Sequence, residues 1–138
     1  MTQPPTILAL DVGEKRIGVA IATVGLSFAH PLTTLLHDET IWEQLTHLVD
    51  DNNSGMFVVG LPRGMSGQET AQTRSSEVFM EQLRANIGLP VHPQDESVTS
   101  IKAEAELQSR GKPYEKGDID ALAATYILED YLTERRNS

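Results

Sequence analysis

Cysteine is absent from the 138 residues, which removes disulfides and thiolate sites together. Long apolar runs are absent as well. Nothing approaches the roughly 18 residues that a membrane span needs, so a transmembrane reading is excluded. Basic residues are scarce, with 11 Lys+Arg against 20 Asp+Glu and a net charge of −9. Phosphate binding usually leaves a basic footprint, so any contact with nucleic acid has to be local. The acidic balance still allows a nuclease, because clustered carboxylates can be neutralised by metal ions while a few cations line the approach. Met1-Thr2-Gln3-Pro4-Pro5 has no basic n-region, and Ile7 to Val12 is too short and too acidic for a signal peptide, so a cytoplasmic setting is expected. There is no internal repeat or low-complexity tract.

What is present reads as one soluble domain, 1–138, with a core from about 7 to 132. Its 39% hydrophobic and 22% charged content is ordinary for a globular protein. Ile7-Leu8-Ala9-Leu10 ends in Asp11-Val12-Gly13 and reads as a buried strand, with Ile17 to Ile21 as the return strand of a hairpin. A third strand is expected around His30 to Leu35, with Pro31 confining it to an edge or a strand start. Asp38 is a candidate N-cap for a helix whose Ile41, Leu45, Leu48 and Val49 share one face. Met56 to Val59 reads as a central strand running into Gly60-Leu61-Pro62. A second helix is expected over about 68–86, with Ala71, Ser75, Val78, Phe79 and Leu83 inward and Gly88 at its end. Val91 to Gln94 is a short strand, followed by a helix from about Thr99 to Arg110 with Gly111 as C-cap. After a loop over 112–117, Ile119, Leu122, Ala123, Tyr126, Ile127 and Tyr131 mark the inward face of a last helix, with a tail that frays after Arg135. This order predicts an α/β fold, a mixed sheet flanked by helices.

Metal-assisted phosphodiester hydrolysis needs hard oxygen ligands converging from different elements. Asp11 ends the first strand, Glu96 with its neighbour Asp95 follows a later one, and Asp120 opens the last helix. If those strands are neighbours, the carboxylates can meet at one sheet edge, and their mutual repulsion would raise carboxylate pKa values in metal-free protein. Taken singly, Asp11, Asp95 and Glu96 read equally as turn formers or N-caps. Asp118 and Asp120 equally complement the dipole of a helix's first turn.

Ala9-Leu10-Asp11-Val12-Gly13-Glu14-Lys15-Arg16-Ile17-Gly18-Val19-Ala20 resembles the opening signature of the YqgF family, also called RuvX. Three more blocks agree in order. They are Val59 to Gly67, a glycine-proline loop; Asp95-Glu96-Ser97-Val98-Thr99-Ser100, an acidic block; and Asp120 to Leu128, a closing helix. The resemblance runs from about Ile7 to Leu132. It implies a ribonuclease H-like fold related to the RuvC resolvases, with Asp11, Glu96 and Asp120 as catalytic and metal-binding positions, Asp95 as a helper, and Mg²⁺ or Mn²⁺ as cofactor. Members are described as Holliday junction resolvases or pre-16S rRNA nucleases. The resemblance therefore implies an endonuclease acting on structured nucleic acid, precursor 16S rRNA before branched DNA, with ribosome assembly components as further partners.

Lys15, Arg16 and Arg63 are the candidate phosphate contacts, Lys as a point charge and Arg as a two-pronged ligand. Solvated turn charges explain Lys15 and Arg16 as well, and a mobile connecting loop explains Gly60 to Gly67. Arg74 and Lys102 are weaker candidates. Two departures stand out: Ser97 occupies the position where the family commonly has Arg, and Ala22-Thr23 the position of a frequent Ser-Asp pair. The acidic balance and Ser97 leave room for a non-catalytic factor that binds ribosomal RNA or protein. Asp11-Val12-Gly13 with Gly18 also resembles the first phosphate loop of actin-like ATPases and sugar kinases, but this chain offers one lobe and no second phosphate-loop block. A resolvase would be expected to dimerise, matching a symmetric substrate.

Overall fold

The computed structural model describes residues 4–26, 28–64, 66–96 and 99–136, without the side chains of Thr99, Ser100 and Arg136. Its elements run β1 (Thr6–Val12), β2 (Arg16–Thr23), β3 (His30–Leu36), α1 (Ile41–Asn52), β4 (Ser54–Pro62), α2 (Ala71–Ile87), β5 (Val91–Glu96), α3 (Thr99–Ser109) and α4 (Lys116–Arg136). The sheet order is β3-β2-β1-β4-β5. β1 and β2 form the expected hairpin, β3 adds antiparallel to β2, and β4 and β5 add in parallel to β1. Pro31 lies on the edge strand, where its missing N–H interrupts no inner ladder. No helix among the described residues is long and apolar enough to cross a membrane.

Alternation along each strand sends residues to two faces. On one, Leu8, Leu10, Val12, Ile17, Val19, Phe57, Val59 and Leu61 pack against Ile41 and Leu45 of α1 and Phe79, Met80 and Leu83 of α2. On the other, the sheet residues are small. Ala9, Ala20 and Ala22, with Ile7 and Val58, receive Ala124, Ile127, Leu128 and Tyr131 of α4. α3 then covers the outer side of α4 through Ala103 and Leu107 against Leu122, Ala123 and Tyr126. α4 is thus buried from Ala121 to Leu128 on every side, rather than on the single expected face.

Local differences have local causes. The first helix starts at Ile41 with Thr40 as N-cap, not Asp38. The Asp38 carboxylate instead accepts from the Thr40 N–H at 2.8 Å and from the Thr40 hydroxyl, an Asx turn that precedes the helix. The inward row of α2 is Thr73, Ser76, Phe79, Met80 and Leu83, leaving Ala71, Ser75 and Val78 exposed. Thr73 can be buried because it closes a capping box with Thr70 and donates its hydroxyl to the Pro62 carbonyl. Gly88 ends α2 in the left-handed region at φ 77°, as its position after the apolar row suggests. α4 begins at Lys116, inside the expected loop, and continues through Arg136; fraying beyond that point concerns residues outside those described. Ser97 also lies outside them.

Candidate active site

The small residues on the α4 face decide where Asp120 sits. Gly18 pairs across the hairpin with Asp11. A Cβ on Gly18 would fall 2.0 Å from the Asp120 carbonyl oxygen, so the helix backbone rests on the strand at the one residue without a side chain. Asp11 points to the same face as Ala9. The two acids therefore meet. Burial first, and the charge of Asp120 second, push the Asp11 carboxyl from its ordinary 3.8 to about 6. Arg16, at the start of β2, donates from Nε to Asp120 Oδ2 at 2.6 Å. This cation partly offsets the acidic pair in the metal-free protein. Lys15 is exposed in the turn before it.

Glu96 lies on the same face but elsewhere along it. Leu10 pairs with Val59 and Val59 with Pro93, so the level of Asp11 across the sheet falls at Gly60 and Gln94. Glu96 is two strands away and two residues further on, roughly 10 Å sideways and 6–7 Å along. There it meets the far half of α4. Burial, then the hydrogen bond and charge of Asp130, then the charge of Glu134, push Glu96 from 4.5 to about 9, against the pull of Lys102. A hydrogen bond between two carboxyls requires one of them to be protonated, and Glu96 Oε1 is left buried with no hydrogen-bond partner among the described residues. Asp95 turns to the opposite face, where Arg63 holds it at 3.0 Å and also approaches Glu69 at 3.6 Å. Lys102 stands 4.3 Å from the centroid of the Tyr126 ring.

Asp11 and Asp120 fit a hard divalent cation. Their oxygens are the right donors, their repulsion is what a cation would relieve, and Mg²⁺ commonly uses only one or two carboxylates with water and substrate oxygens for the rest. Glu96 joins them only if its side chain leaves Asp130. Among the described residues no group of three His, Cys, Asp or Glu side chains is close enough to hold a metal ion.

A family model described as "RuvX: Holliday junction resolvase" matches residues 5–134. The chain belongs to the RuvX family. Among relatives, a protein of Chloroflexus aggregans is 45% identical over 136 residues, covering 96% of each chain, and is named "Putative pre-16S rRNA nuclease". A protein of Pectobacterium carotovorum with the same name is 37% identical over 130 residues, covering 91% of this chain and 94% of its own. Among solved structures, T. thermophilus RuvC in complex with a Holliday junction substrate superposes with TM-score 0.58 at 16% identity, over 97% of each chain. The Fowlpox virus resolvase in complex with Holliday junction DNA gives 0.52 at 16% identity, over 94% of this chain and 98% of its own. This RuvX chain therefore has the RuvC-like ribonuclease H fold.

Of the site residues expected from sequence, the RuvX fold brings Asp11, Asp120 and Arg16 together and leaves Glu96, Asp95 and Arg63 apart from them. Sequence reading missed the Arg16–Asp120 pair, since no periodicity links residues 104 positions apart. It also missed the role of Gly18, although an isolated glycine inside a strand does signal close backbone approach.

Proposed function

We propose that this RuvX protein is a metal-dependent endonuclease that hydrolyses phosphodiester bonds in structured nucleic acid, with precursor 16S rRNA as substrate and ribosome biogenesis in the cytoplasm as its setting. The observation that carries the reading is the Asp11–Asp120 pair at the C-terminal end of β1, destabilised enough to raise Asp11 to about 6. The names of its relatives supply the substrate. In this reading the chain is one domain. Asp11 and Asp120 would hold Mg²⁺ or Mn²⁺, and Glu96 would complete the ligand set with Asp95 as helper once Glu96 turns from Asp130. Such a metal would activate water and stabilise the leaving oxygen when bound.

The remaining work falls to the chain's own groups. Arg16 holds Asp120 in place before loading, and once a cation takes over that carboxylate its guanidinium can turn to a substrate phosphate. Lys15 and Arg63 would steer the adjacent backbone, Arg63 after exchanging Asp95 for phosphate.

The test is cleavage of precursor 16S rRNA and of a four-way DNA junction, in manganese and in EDTA, by the parent and by Asp11→Asn. Metal-dependent cutting of the RNA that the variant loses is expected. Cutting of the junction alone would transfer the activity to DNA. Absence of cutting of either, with ribosomal RNA binding unchanged in Asp11→Asn, would favour a non-catalytic assembly factor, a reading supported by the turn of Glu96 toward Asp130.

A further inference from the structure

Across the sheet from Asp120, at the turn between β1 and β2, Val12, Gly13, Glu14, His37, Gln72 and Ser75 line an open cavity of about 300 Å³. It begins one residue beyond Asp11 and contains none of the carboxylates discussed above. Two of its side chains are already oriented. A carbonyl oxygen only accepts, so the 2.7 Å contact with the Gly13 carbonyl requires His37 Nδ1 to carry the hydrogen. Phe79 packs edge-on against that ring with centroids 5.4 Å apart. The free nitrogen of His37 is then Nε2. Gln72 Nε2 donates to the Val12 carbonyl at 3.1 Å, which leaves Oε1 and the second Nε2 hydrogen available. Glu14 contributes a carboxylate and Ser75 a hydroxyl, and no Lys or Arg is among the lining residues.

This inventory disfavours a phosphate inside the cavity itself, since Glu14 brings a carboxylate and no Lys or Arg lines it. It suits a neutral group that brings hydroxyl donors, and the volume matches the small end of ligand pockets. Val12 and Gly13 follow Asp11 directly and line the cavity, so it opens at the same end of β1 that a strand with its scissile phosphate at Asp11 and Asp120 would cross. We propose that the cavity between His37 and Gln72 is a ribose subsite that reads a 2′-hydroxyl and gives the protein its preference for RNA over DNA. The proposal rests on the nuclease reading. His37 and Gln72 hold the carbonyls after Asp11 with one end of each side chain and present the other end to the sugar.

The test is equilibrium binding at one fixed salt concentration with magnesium, using full-length Asp11→Asn so that cleavage is not the readout. The probes are a hairpin RNA, the same hairpin as DNA, and the RNA with 2′-O-methyl groups, which keeps the A-form shape but removes the donor. RNA is expected to bind about five- to tenfold more tightly than DNA, with the methylated RNA close to DNA. Gln72→Leu should bring the RNA:DNA ratio toward one. The double change Glu14→Ala with Ser75→Ala should do the same while both carbonyl contacts remain, and the ratio cancels its change in charge. A ratio near one in the parent, methylated RNA binding as tightly as RNA, or a ratio untouched by the variants overturns the subsite and leaves the nuclease reading standing. Failure of every probe to bind overturns the subsite and leaves the nuclease reading to the cleavage test, because Asp11→Asn also removes a proposed metal ligand.

Discussion

The two ends of α4 meet the sheet in different ways. At its first turns Asp120 comes down beside Asp11 with Arg16 alongside, a charged group that a cation can complete. Ten residues later Asp130 meets Glu96, and burial and Asp130 push the Glu96 carboxyl up to about 9 against the pull of Lys102. Both ends set carboxyl against carboxyl on the same face of the sheet. What separates them is the neighbouring strand. At Asp11 the partner is β2, whose Gly18 admits the helix backbone and whose Arg16 supplies a cation; at Glu96 the strand is the sheet edge. Two acids close together thus become a candidate metal site only where the topology also brings a cation and leaves room for substrate.

The largest way to break this comparison is Asp11→Asn. Cleavage of the preferred substrate is expected to fall about a thousandfold or more, some 4 kcal/mol of transition-state stabilisation, in a single-turnover assay with manganese. A residual rate within tenfold of the parent would remove Asp11 from the site. Gly18→Ala attacks the same end through packing. The new Cβ would fall 2.0 Å from a backbone oxygen that has little freedom to move, so a loss of about 3 kcal/mol is expected in denaturant unfolding. Gly60→Ala is the control. Its Cβ would fall 2.4 Å from Ile127 Cδ1, the movable end of a side chain, and about 1 kcal/mol is expected.

pH gives a third comparison. Between the ordinary 3.8 and about 6, folded metal-free protein keeps a proton on Asp11 that the unfolded chain has lost. Asp11 therefore makes stability fall as pH rises through that window, and its effect is level above it. Asp11→Asn should be more stable than the parent at pH 7, by at most about 3 kcal/mol, and should lose most of that advantage by pH 4. Thermal unfolding in EDTA at both values checks this, and an advantage equal at both would trace to packing. The smallest effect is expected at the other end of the helix. Asp130→Asn should bring Glu96 below about 9 without returning it to 4.5, because burial is the first cause of its shift. Side-chain NMR titration reads that directly. Manganese binding should tighten a few-fold if Glu96 is a ligand held away by Asp130, and an unchanged affinity would remove Glu96 from the set.

Much of the architecture was legible because it is local. The hairpin follows from two apolar runs around Asp11 to Gly13, α1 from the spacing of Ile41 and Leu45, and the edge position of β3 from Pro31. The face of α2 was misread because Thr73 and Ser76 look polar in sequence, and only a capping box and the Pro62 carbonyl make the burial of Thr73 affordable. The expected inward residues of α4 are buried or partly buried, but they divide between the sheet and α3. A helix packed between a sheet and another helix has no polar face over its middle, so periodicity cannot mark one inward stripe.

The candidate site divides along the same line. Sequence by itself determined which acids stand at element ends and which family they belong to, because strand ends, helix starts and ordered motifs are written in neighbouring residues. Tertiary structure alone decided which of those acids meet. Strand register set Gln94, not Glu96, level with Asp11, and the absence of a side chain at Gly18 let α4 bring Asp120 against it. Register and close approach depend on residues far apart in the chain, and they are settled by packing across the sheet rather than by any local pattern.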